Sequence, residues 1–126
     1  MLKRDFIMVQ IEELGKVIAQ IISQRNTDAA RNNPALIQSA YNSLKIDSGS
    51  LLHLSPQDIR QYLDGVDGAG LQRMELAAKI MMEDAYLNHG EKEELRLKSK
   101  ELLEYVQAND RTFSLERAYL LEELKR

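Results

Sequence analysis

The 126-residue chain has no cysteine and no tryptophan, only two prolines and six glycines. Without thiols there are no disulfides, no thiolate zinc or iron–sulfur ligands and no cysteine nucleophile. That composition fits a reducing compartment, and a cytoplasmic location is the expectation. Scarce proline and glycine leave few enforced breaks. No segment alternates apolar and polar residues long enough for a strand, and Asp64-Gly65 and Asp67-Gly68 stand between helical patterns instead of joining β-type runs.

Clean apolar runs are missing too. Lys3 and Arg4 precede Phe6 to Val9, but Gln10, Glu12 and Glu13 then interrupt. A secretory h-region or a span of about 20 apolar residues needs more, so neither leader nor membrane span is expected. Basic excess is absent, with a net charge of −3, which disfavours a nucleic-acid footprint.

What is present is helical. Leu, Glu, Lys, Ala and Gln are plentiful, the residues a helix tolerates best. About six helices can be drawn, an all-α fold of antiparallel hairpins in one domain over 1–126. Residues 4–25 form the first, and "RNTDAARNN" ends it. Asn33 as cap and Pro34 at the first helical position open the second, which Asp47 to Ser50 stop. Ser55 and Pro56 open a short third over 56–64. Gly65, Gly68 and Gly70 mark the clearest break, dividing possible lobes 1–64 and 71–126. Each lobe is marginal alone, so the two are expected to share a core. The helix over 70–89 is apolar nearly all round, which suits a central position, with Gly90 as its stop. A charged helix over 91–108 follows, and Ser114 caps the last.

The polar residues do not converge on a catalytic constellation. His53 and His89 lack the His or carboxylate spacing of helical metal sites. Adjacent acid pairs point about 100° apart on a helix. Glu83 and Asp84 are expected to mark the return of the central helix to solvent; an alternative reading makes them, with His53, a small-molecule or metal-dependent site between the lobes. The glycines lack the preceding strand and following Lys-Ser/Thr of a phosphate cradle. No catalytic residue, cofactor or metal ligand is assigned.

The first helix carries the positive signal. Ile7, Ile11, Leu14, Ile18 and Ile21 recur at spacings of 4, 3, 4 and 3, the seam of two heptads. Phe6, Val17 and Ile22 widen the stripe, and Gly15 beside it would admit a close helix. The expectation is a non-enzymatic interaction or scaffold protein that binds another protein or itself. Its candidate interface is Phe6, Ile7, Ile11, Leu14, Val17, Ile18 and Ile22, with a homodimer through this helix as the sharper form.

"RDFIMVQIEELGKVIAQII", with "SLLHLSPQDIRQYL", the glycine break and "ELAAKIMMEDAYL", resembles a family of small bacterial helical proteins of unknown function. That resemblance implies helix pairs similar to tetratricopeptide hairpins and supplies no functional residues.

Overall fold

The computed structural model describes the backbone of residues 2–65 and 67–126, and the side chains of 9–65 and 67–126. Among them are seven α-helices and no strand: α1 (Leu2–Gln24), α2 (Asn33–Leu44), α3 (Ser48–His53), α4 (Pro56–Asp64), α5 (Gly70–Leu87), α6 (Lys92–Asn109) and α7 (Leu115–Leu124). A 3-10 turn, Asp28–Asn32, precedes α2.

The all-round apolar α5 is the axis of the fold. It buries Met74, Leu76, Ala77, Ala78, Ile80, Met81, Met82 and Ala85 against α1, α2, α4 and α6. Its main partner is α6, which returns antiparallel and inserts Leu95, Leu102, Leu103 and Val106. Small residues let this hairpin close. Ser99 is fully buried, and its hydroxyl lies 2.8 Å from the Leu95 carbonyl and 3.2 Å from that of Ala78. Each large apolar side chain so buried contributes about 1.5–3 kcal/mol. One cluster of buried residues runs from Leu14 through Leu63 to Met74 and Leu124, so both sides of the glycine break share it.

Several boundaries differ from the sequence expectation. Asp47 does not end a helix and leave a loop; its side chain accepts from the Ser50 amide at 2.7 Å and caps α3. Six residues are too few to show a period, so this helix had no pattern to read. The polar stretch after α1 winds into the 3-10 turn, capped by Thr27. Asn33 is inside α2, not its cap. Its buried amide donates to the Ile21 carbonyl at 3.1 Å and accepts from Gln24 at 2.8 Å, tying α2 to α1. Helix α5 stops at Leu87. Asn88, not Gly90, makes the turn: its carboxamide oxygen accepts from the Glu91 amide at 3.1 Å. Ser55 and Ser114 cap as their spacing predicts, each accepting an amide three residues on at 3.1 Å.

The glycine break is needed for its shape. Gly65 and Gly68 adopt φ of +54° and +73°, which a Cβ disfavours. Asp67 organises the turn from inside, accepting from the Ala69 amide at 2.8 Å and from both terminal nitrogens of Arg73 at 2.8 and 2.7 Å.

Candidate functional site

The structure spends most of the α1 seam on the chain's own core. Leu14, Ile18 and Ile21 are buried, and Ile11 and Val17 pack half-buried against the same cluster. Of the candidate interface residues, Leu14 and Ile18 are therefore not surface at all, which corrects the expectation for those two. Ile22 is 44% exposed, and Val9, on the opposite side of the helix, is 54% exposed. The side chains of Phe6 and Ile7 lie outside the described residues.

Glu83 does not return α5 to solvent; it is 4% exposed. The helix turns this carboxylate towards the end of α1, where Arg25 meets it with two donors, Nε at 2.8 Å and Nη2. A bidentate fork is the geometry that compensates a buried carboxylate best. The same guanidinium lies 4.1 Å from the ring centre of Tyr86, one turn further along α5. The hydrogen bonds that Arg25 donates to Glu83 push its guanidinium above its ordinary range. Asp84 is half-buried and accepts from the Tyr41 hydroxyl at 2.7 Å. Burial, and then this bond, push the Tyr41 phenol far up, so it stays a donor. Both acids thus fasten α1 and α2 to the central helix. Their partners, Arg25 and Tyr41, sit 58 and 43 residues away in the chain, a pairing no local spacing reveals.

His53 is not brought to these acids. Its Nδ1 donates to the Gly49 carbonyl at 2.7 Å, and it sits beside Asp47, Ser50 and Leu54. His89 is exposed beyond α5. No group of three or more His, Asp or Glu among the described residues could hold a metal. Every buried side-chain nitrogen or oxygen among them has a hydrogen-bond partner.

Two further surface features bear on function. The first is an apolar corner where α7 begins. Phe113, Leu115 and Tyr119 are 71%, 75% and 63% exposed. Leu115 and Tyr119 are four apart, one above the other on the outward face. Arg117 fixes that orientation by turning the other way. It is 3% exposed and donates from Nε to Glu75 at 2.9 Å, from Nη1 to Gln107 at 3.0 Å and from Nη2 to Asp110 at 2.7 Å. The sequence carries a signal for this: besides its inward residues Leu120, Leu121 and Leu124, α7 has a second apolar side.

The second feature is a trough of about 380 Å³ lined by Ile11 and Gly15 of α1, by Leu71, Gln72, Glu75, Leu76 and Lys79 of α5, and by Val106, Asp110 and Arg117. Its walls run in parallel. Gln10 meets Arg73 at 3.3 Å and Arg25 meets Glu83, so α1 follows α5 in the same direction. Glu116, at the start of α7, meets Lys79 at 2.6 Å, while the Glu123 carbonyl near its end accepts from Arg96, early in α6. Helix α7 therefore also follows α5. No helix among the described residues is long and apolar enough to cross a membrane.

Comparison of the chain with protein families, with curated proteins and with solved structures finds no match.

Proposed function

We propose that this chain works by binding another protein and carries no catalytic activity of its own. The observation that supports the reading is the apolar corner of α7. Three large side chains stand in water there, while Arg117 on the same helix is held inside by three acceptors. Contiguous exposed apolar surface of this kind marks interaction sites in soluble domains. The buried acids have structural partners, so they do not need a substrate to explain them. The absence of cysteine supports placing this binding in the cytoplasm.

The test compares the native chain with Leu115→Asp/Tyr119→Asp. Both positions are exposed, so the variant keeps its helical circular dichroism and melting temperature. The native chain is expected to retain a protein partner from cells of its source, or to self-associate by light scattering, and the variant to lose it. Equal behaviour of the two chains would sink the reading.

Self-association along α1 is a second reading. Ile22 and Val9 support it as apolar residues left outside the core. A concentration-independent monomer mass would remove it.

A further inference from the structure

Helix α7 lies in a seat that matches it by both apolar contact and charge. Leu120, Leu121 and Leu124 pack down on the core. Arg117 takes Glu75, Gln107 and Asp110, Glu116 meets Lys79 at 2.6 Å, and the Glu123 carbonyl accepts from Arg96 at 3.0 Å. Cover is thin on one side, however. The helix packs chiefly on α6, and the trough of about 380 Å³ undercuts it towards α5, between Arg117 and the apolar Leu71, Leu76 and Val106. An element with so little apolar cover opens ahead of the rest of a fold.

The turn that delivers α7 can straighten. Asp110 and Ser114, at its two ends, have extended backbones, and residues 110–114 contain no glycine and no positive φ. The turns before α3 and α5 differ, being set by Lys45 at φ +59° and by Gly65 and Gly68. Straightening 110–114 gives up the bond from the Thr112 amide to Asp110 and leaves the pattern of α7 intact. Phe113 and Leu115 stand at this turn, both exposed. When two copies exchange an identical element, their connecting segments run past each other at the two-fold axis. The apolar pair therefore lies where a second copy would cover it. Arg111, exposed in the same stretch, is long enough to keep its charge in water there.

We propose that two copies of this chain exchange α7, each seating it on the α5–α6 hairpin of the other. Exchange needs no new recognition, because the seat accepts the same helix with the same bonds from either chain. What the pair adds is cover for Phe113 and Leu115. The inference rests on the reading of the α7 corner as an interaction site and names a second copy as what meets it.

For the test, equal amounts of unlabelled and heavy-nitrogen-labelled native chain are mixed in urea, returned to buffer at high concentration and separated by size. A carbodiimide then joins Lys79 to Glu116, whose side chains are in contact, and mass spectrometry reads the isotopes of the joined peptides. The dimer fraction is expected to give mixed-isotope pairs in statistical proportion, and the monomer fraction none. Phe113→Asp/Leu115→Asp is expected to lower the association constant about tenfold or more while keeping the melting temperature of the monomer. Arg117→Met loosens the seat equally within and between chains. It is expected to reach the native dimer fraction about tenfold sooner without changing that fraction. Mixed pairs that Phe113→Asp/Leu115→Asp leaves undiminished overturn the proposal, since exchange would then not depend on the apolar turn. A dimer whose Lys79–Glu116 pairs all carry one isotope overturns it too, and leaves the corner standing as a surface that pairs without exchange. No dimer at any concentration also overturns it; a partner retained through Leu115 and Tyr119 would then leave the corner reading in place.

Discussion

Arg25 reaches across 58 residues of sequence to place two donors on the buried carboxylate of Glu83. Arg25 directly follows the last residue of α1 and Glu83 stands on the buried face of α5 near its C-terminal end, so the contact ties the first helix to the central one. Removing one member of a buried pair is worse than removing both, because the survivor keeps its charge and loses its partner. Arg25→Met is therefore expected to cost about 3 kcal/mol, at the lower end for a buried pair since Arg25 is partly open. Arg25→Met with Glu83→Met is expected to recover most of that. Urea unfolding of the three chains checks it; a double variant no better than Arg25→Met would mean the pair itself holds the fold.

Gly70 separates a steric requirement from a merely flexible turn. A Cβ there would lie 2.8 Å from the Arg60 carbonyl oxygen and closer still to the Asp64 carboxylate, whose oxygen already accepts the Gly70 amide at 2.9 Å. The obstacle is partly backbone, which cannot swing aside. Gly70→Ala is expected to destabilise by about 1–3 kcal/mol, as overpacking does. Gly90→Ala has no positive φ to violate and only Asn88 within 4 Å, at 3.6 Å. It is expected to be close to neutral in the same melt. A neutral Gly70→Ala would mean that α4 and α5 are not packed as closely as described.

Stability is expected to fall in acid through the loop carboxylates. Arg73 and then the Ala69 amide hold the Asp67 carboxyl below its usual range, and the Thr112 amide, then Arg117, do the same for Asp110. A carboxylate depressed in the folded state contributes stability that is complete above its unfolded value, about 4, and is lost as pH falls through the folded value. The urea midpoint is therefore expected to be flat near neutrality and to decline below about pH 4. Asp67→Asn is expected to lower the neutral-pH midpoint and flatten the acid decline. An acid profile unchanged in Asp67→Asn would remove the Arg73 pairing as its cause.

Much of this fold was readable because periodicity reports burial. The all-round apolar stretch from Met74 to Met82 could only be central, and the Ser55 and Ser114 caps follow from local chemistry. The seam of α1 was legible as a buried face, but its owner was not. A heptad pattern is the same whether the covering helix comes from the same chain or another, and here Leu14, Ile18 and Ile21 find cover at home. The acids were misread for a related reason. Glu83 in isolation reads as a solvent mark, and only the fold shows that Arg25 arrives beside it. The apolar corner of α7 was missed because Leu115 and Tyr119 blend with Leu120, Leu121 and Leu124 into one apolar segment. Arg117, the polar residue that turns inward, decides which side faces out.

Arg117 also decides how firmly α7 is held. The helix packs chiefly on α6, and besides Arg117 its one buried residue is Leu124, with Leu120 and Leu121 at the edge of the core. Such an element belongs to the low-stability end of a structure and opens on its own. Arg117 counters this by joining α7 to Glu75 of α5 and to Gln107 and Asp110 at the end of α6. Arg117→Met keeps the buried volume and removes all three bonds. It strands no fully buried charge, because Glu75 retains Lys79 and Asp110 retains the Thr112 amide at 3.0 Å. The cost is expected to be about 2 kcal/mol and to be local. Native-state hydrogen exchange should show the α7 amides losing protection while those of α5 and the middle of α6 keep theirs. Arg117→Lys is expected to fail as a rescue, since a single ammonium cannot reproduce a planar fork spread over three acceptors. Equal loss of protection in α5 and α7 would show that the last helix unfolds only with the whole chain and that Arg117 is no more than one part of a common core.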